Sequence, residues 1–152
     1  MKTLYLDLDG VMADFDRHHT SIFGPMPSGD FDDLHWAKIH AIPDFFRNLP
    51  LKSDALDLFY ALPMVPVILT SCPRTGYQNV ARQKRAWVRE HLGDMVILPV
   101  IGGHNKPMFM HRPGDILIDD YGKNCRAWEA EGGIAIKHET AEQTLEKLHA
   151  VW

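Results

Sequence analysis

Short apolar runs punctuate the chain, separated by longer stretches in which apolar and polar residues mix at helical spacing. The runs fall at about 3–6, 65–69, 95–101, 116–118 and 134–136, are rich in leucine, isoleucine and valine, and are bounded by polar or turn residues. A nearly continuous apolar run of this length fits a strand covered on both faces, as in a parallel sheet. The mixed stretches predict helices over about 54–62, 76–92, 123–131 and 140–151. Strand alternating with helix predicts an α/β fold, a doubly wound parallel sheet in three layers.

One stretch breaks the rhythm. Residues 16–50 are too many for a crossover loop and are interrupted by Gly24-Pro25-Met26-Pro27-Ser28-Gly29, a strong turn signal. They also carry Phe23, Phe31, Trp36, Phe45, Phe46 and four of the nine histidines. The expectation is a single domain over 1–152, with a small, mostly helical cap insert at about 16–50 lying over one end of the sheet.

Composition adds exclusions. At 45% hydrophobic and 24% charged residues, the chain has the make-up of an ordinary soluble domain rather than a disordered one. A net charge of −4 offers no electrostatic footprint for polymeric nucleic acid or an anionic membrane. The apolar run before Asp7 is shorter than the roughly 7–15 residues of a signal-peptide core, and no run approaches the ~18 of a membrane span. Cys72 and Cys125 form no metal-binding spacing. A reduced, cytoplasmic protein is the expectation.

In a doubly wound sheet, ligands bind beyond the carboxyl ends of the strands. That edge receives Asp7-Leu8-Asp9-Gly10 after the first run, Thr70-Ser71-Cys72-Pro73-Arg74 after the second and Asp119-Asp120 after the fourth. Four carboxylates crowd together in ionised form only when a cation or protons neutralise them. Oxygen ligands without cysteine or histidine suit Mg²⁺ rather than zinc. A carboxylate so screened can attack a phosphoryl group. Asp7 ends the strand and points at the substrate; Asp9, two residues on, lies on the same side; Gly10 lets the backbone turn away. An isolated Asp-x-Asp-Gly is also what a solvated turn looks like, and the second acidic pair at another strand end argues against that reading.

Asp7-Leu8-Asp9-Gly10-Val11-Met12-Ala13-Asp14-Phe15 resembles the first motif of haloacid dehalogenase phosphatases, most closely that of the 5′(3′)-deoxyribonucleotidases. Leu69-Thr70-Ser71 resembles their second motif, Lys84-Arg85-Ala86-Trp87-Val88 the third and Asp115-Ile116-Leu117-Ile118-Asp119-Asp120 the fourth. The resemblance implies a Mg²⁺-dependent phosphomonoesterase in which Asp7 forms a phosphoaspartate. Asp9 then serves as the acid and base and lends its backbone carbonyl to the metal. Thr70 or Ser71 holds the phosphoryl oxygens, and Asp120 completes the metal site, with Asp119 beside it as a further ligand or as a base behind the ligands. Lys84, at the motif position, and Lys106, after the third strand, both resemble family lysines near the phosphate. Phe15 matches a position lining the nucleoside pocket, and Trp36 is a candidate for base stacking, although aromatics in so small an insert also form its own core. The implied substrate is a small phosphorylated metabolite, a (deoxy)nucleoside monophosphate, with sugar phosphates or other small monoesters as the alternative. Two departures stand out: Tyr121-Gly122 follows the acidic pair where the nucleotidases usually carry Arg-Pro, and the insert is shorter than theirs.

Other residues read more plainly. His18, His19, His35 and His40 lack a carboxylate partner at metal-binding spacing and are expected at the surface or within the cap. Cys72 sits beside acids, which raise a thiol pKa and argue against a cysteine nucleophile. Arg82 through Arg89 reads as one amphipathic helix with a charged outer face. A receiver-type signalling module also groups acids, a hydroxyl and a lysine, but its acceptor Asp follows the third strand; here that strand leads into Gly102-Gly103-His104. A catalytically idle binding protein on the same scaffold would have no need of the complete motif set.

Overall fold

The computed structural model describes residues 1–152. Five strands, β1 (Leu4–Leu6), β2 (Val67–Cys72), β3 (Ile97–Ile101), β4 (Ile116–Asp119) and β5 (Ile134–Lys137), pair in the order β3-β2-β1-β4-β5. Every pairing is parallel. Six α-helices connect them: α1 (Phe15–Phe23), α2 (Asp33–His40), α3 (Ala55–Ala61), α4 (Tyr77–His91), α5 (Gly122–Ala130) and α6 (Ala141–Val151), with a 3-10 segment at Gly103–Phe109. None of these helices is long and apolar enough to cross a membrane.

Strand side chains alternate between faces, and the core divides accordingly. Leu4, Leu6, Ile68, Ile116 and Ile118 join a large apolar cluster with Leu58 of α3, Val80 and Trp87 of α4 and Leu148 of α6. Tyr5, Leu69 and Leu117, one residue out of phase, meet Val100 and Trp128 of α5 on the opposite face. The continuous apolar runs therefore serve two buried faces at once, giving the expected three layers.

All five strands differ at an end from the sequence reading, by one to three residues, and the shifts in β2 and β4 bear on the site. β2 begins at Val67 because Pro66 has no N–H to donate and Val65 is largely exposed. It also runs on through Thr70, Ser71 and Cys72, which pair with Pro99, Val100 and Ile101. Backbone pairing is indifferent to the hydroxyl side chains, so these residues form the last half of the strand rather than a loop after it. Asp119 is likewise the last residue of β4, paired with Lys137 of β5.

The long stretch between β1 and α3 leaves and returns through a narrow neck. Asp14 N–H donates to Pro50 O (2.8 Å) and Lys52 N–H to Met12 O (2.9 Å), around an antiparallel bridge between Ala13 and Leu51. Its helices begin at capping aspartates: Asp14 accepts from Arg17 N–H (3.2 Å) and Asp32 from His35 N–H (2.8 Å). His19 is fully buried, not superficial, and its Nε2 lies 2.8 Å from His35 Nε2, joining α1 to α2. Phe15, Phe23 and Phe31 surround that pair. Burial lowers the proton affinity of the His19 imidazole.

Candidate active site

The strand order changes direction at β1, with β2 on one side and β4 on the other. A crevice opens beyond the carboxyl ends at such a switch point. Asp7 follows β1 and Asp119 ends β4. The carboxylates of Asp7, Asp119 and Asp120 converge, with one oxygen of each within 4.8 Å of the others. Asp9 stands slightly apart.

Each lysine organises one half of the site. Lys106, fully buried, donates from Nζ to Asp7 Oδ1 (3.0 Å) and Asp119 Oδ2 (2.7 Å). Burial alone works against its charge, but Asp7 and Asp119 outweigh that cost and hold its pKa above the ordinary lysine value. Lys84, also buried, donates to Asp9 Oδ2 (3.0 Å), Thr70 Oγ1 (2.8 Å) and Ser71 O (2.8 Å). All three of its protons are therefore committed. Neither ammonium reaches the cavity wall. Thr70 lies behind the wall on Lys84, whereas Ser71 faces the cavity.

Asp119 is saturated by donors: Tyr121 N–H on Oδ1 (2.9 Å), Lys106 and Asn124 Nδ2 (3.1 Å) on Oδ2. Asp120 is the more open carboxylate, and burial, with the neighbouring Asp119, pushes its pKa up to about 6. Burial, then Asp119, also pushes Asp7 well above the usual carboxylate range despite Lys106. Four carboxylates against two ammonium groups leave two formal negative charges, and two of the acids are raised by burial and then by their acidic neighbours. Hard oxygen donors carrying that excess suit a divalent cation. The donor set therefore fits the metal that the resemblance implies, with Asp7 and Asp120 best placed to hold it.

Gly10 makes that arrangement possible. Its φ is +85°, and a Cβ there would overlap the Asp120 carboxylate. Gly10→Ala should therefore displace Asp120 as well as strain the turn. We expect millimolar Mg²⁺ to raise the melting temperature of the parent and the folded variant to lose most of that rise, measured by thermal unfolding with and without the ion. An equal rise in both proteins would dissociate Asp120 from cation binding.

A cavity of about 650 Å³ joins this polar floor to the insert. Asp7, Asp9, Ser71 and Asp120 meet Phe15, Phe31, Trp36 and Phe46 across it. Trp36 packs edge-on against Phe31 (5.1 Å) and stacks on His40 (5.9 Å) while facing the cavity. Phe31, Phe46, His104 and Asn124 border the cavity as well, none of them given a site role by the sequence. Phe46 carried only a core signal, being an aromatic in an aromatic-rich insert. Asn124 lies in the first turn of α5, just beyond the acidic pair, and reaches back to Asp119 across a strand-to-helix turn that no regular spacing announces. The Cys72 thiol is pushed up, which disfavours the thiolate as expected, but the cause is burial rather than acidic surroundings: Lys84 pulls it down more than Asp9 pushes it up.

No family model matches the chain. The human 5′(3′)-deoxyribonucleotidase, cytosolic type, is 31% identical over 140 residues, spanning 76% of this chain and 68% of that protein. A protein of Bordetella bronchiseptica, provisionally named a 5′(3′)-deoxyribonucleotidase, is 29% identical over 139 residues, spanning 77% of this chain and 73% of the relative. A hydrolase of Streptococcus pneumoniae TIGR4 superposes with a TM-score of 0.49 at 13% identity, covering 98% of this chain and 100% of its own. With four motifs in order and similarity to the human enzyme across two thirds of both chains, this protein belongs to the 5′(3′)-deoxyribonucleotidase family and is a phosphatase of the haloacid dehalogenase superfamily.

Proposed function

We propose that the chain hydrolyses (deoxy)nucleoside monophosphates with Mg²⁺ through a phosphoaspartate on Asp7. The observation that carries this reading is the single cavity in which the carboxylate floor faces an aromatic wall. Its volume is within the ~300–1,000 Å³ range of small-molecule sites. Stacking a base on an aromatic ring contributes about 1–3 kcal/mol, and Phe15, Phe31 and Trp36 supply such rings. Residues 16–50 act as the cap that closes this wall over the substrate. The names of the relatives point to the same substrate class. The name of the human relative, a cytosolic type, supports a cytoplasmic setting.

When bound between Asp7 and Asp120, with the Asp9 carbonyl as a further donor, Mg²⁺ would screen the phosphate from the carboxylates. The chain's own groups do the rest. One Asp7 oxygen attacks phosphorus as the ester P–O bond breaks, and Asp9 gives its proton to the departing alkoxide. Asp9 then takes a proton from water, whose oxygen attacks phosphorus, and the bond to Asp7 breaks to release phosphate. Ser71 faces the transferring group and can donate to its oxygens. Lys84 holds Asp9 against Thr70, and Lys106 holds Asp7 against Asp119, so both acids enter the reaction pre-aimed.

A panel of deoxynucleoside, ribonucleoside and sugar monophosphates, compared by kcat/KM with Mg²⁺ present, tests the reading. We expect the nucleotides to exceed ribose 5-phosphate by about tenfold or more, the equivalent of roughly 1.4 kcal/mol of base contact. Equal rates across the panel would remove the nucleotidase reading and leave a phosphatase for small monoesters.

A further inference from the structure

The geometry points to Gln83 as a positioning residue that sets the nucleoside-facing wall of the cavity by gripping the chain where it returns from the insert; this rests on the nucleotidase reading. Gln83 belongs to α4 and is almost completely buried, one position before Lys84. Its Oε1 accepts two backbone protons, from Phe46 N–H (2.8 Å) and Arg47 N–H (3.3 Å). One turn along the same helix, Trp87 Nε1 donates to Leu49 O (2.8 Å). Two buried α4 side chains therefore hold residues 46–49 at backbone level.

The gripped turn is one that needs holding. Asp44, two residues earlier, has φ +55°, the one non-glycine residue in the left-handed region. Such conformations persist where surrounding contacts over-determine them. Phe46, fixed by its own N–H, lies with its ring centroid 5.3 Å from Lys84 Nζ and 6.0 Å from that of Phe15, and borders the cavity. Lys84 itself has three other partners, so its position does not depend on Phe46. Releasing Gln83 should therefore loosen the aromatic wall and leave the reacting groups in place.

The consequence is a split between binding and turnover. Gln83→Leu removes the acceptor at nearly constant size. It should raise KM for thymidine 5′-monophosphate about three- to tenfold, the scale of one net hydrogen bond. Its kcat should stay within about twofold of the parent, as should kcat/KM for ribose 5-phosphate, which has no base. Gln83→Glu keeps an acceptor oxygen and should restore the parental KM. Phe46→Leu should raise the same KM, and the double variant Gln83→Leu/Phe46→Leu should be no worse than Phe46→Leu alone, because both act through one ring. If Gln83→Leu does not fold, Gln83→Met and Gln83→Glu supply the same comparison. Parental KM in the Leu or Met variant, an equal loss on both substrates, or additivity in the double variant would overturn the assignment. If the parent protein itself fails to prefer the nucleotide over ribose 5-phosphate, the nucleotidase reading fails first and the specificity role of Gln83 falls with it.

Discussion

Asp7→Asn is expected to lower kcat for any accepted phosphomonoester by about 10⁴-fold or more, the scale on which loss of a covalent nucleophile is felt. The substitution is nearly isosteric. Lys106 keeps its shorter hydrogen bond to Asp119, and the backbone bond from Asp7 N–H to Ile118 O does not involve the side chain. The variant should therefore fold. Phosphate release measured over hours, alongside circular dichroism of the same sample, separates lost chemistry from lost structure. Turnover close to the parent's would remove Asp7 from the nucleophile role.

Lys106→Met should have the largest effect on stability. Lys106 is a fully buried ammonium shared by two buried carboxylates. Removing one partner of such a group leaves uncompensated buried charge and costs about 3–5 kcal/mol. For a domain of this size that corresponds to a fall in melting temperature of roughly 6–20 °C, measured in the presence of a chelator. Adding Mg²⁺ should recover part of the loss, because the cation would sit among the same carboxylates. The pH dependence follows from the sign of the Asp7 shift. Burial already raises its pKa above the unfolded value, and Lys106 is the main group pulling it back down. Without Lys106 the rise is larger. The folded state then holds a proton that the unfolded state has released, so stability falls as pH climbs through the raised value. The deficit relative to the parent should be greater at pH 7.5 than at pH 5. An unchanged melting temperature at both pH values would show that the buried lysine does not hold the acids together.

These two variants also mark where sequence reasoning reached its limit. Asp7 was identifiable because it ends an apolar run and because Asp9 and Gly10 follow at fixed local spacing. Lys84 and Lys106 both stand out in the sequence, but their division of labour is not legible there. They stand 77 and 99 residues from Asp7 along the chain. Which ammonium meets which carboxylate depends on where α4 and the 3-10 segment pack against the sheet edge. Lys106 proved to be a buried strut between Asp7 and Asp119, and Thr70 a support for Lys84, leaving Ser71 at the cavity. Gln83 had no local signal at all. It is flanked in its helix by Arg82 and Lys84, and becomes special only because the returning chain offers it two N–H groups 36 and 37 residues away.

By itself, the sequence determined the alternation of strand and helix, the parallel sheet and the acidic edge. Each of these follows from local periodicity or from residues a few positions apart. Its motifs also placed the chain among the haloacid dehalogenase phosphatases. Only the tertiary structure decided the lysine pairings, the closeness of Gly10 to Asp120 and the joining of the aromatic wall to the carboxylates in one cavity. Those contacts join segments far apart in the chain, and their geometry is set by packing across the whole core, which no local pattern encodes.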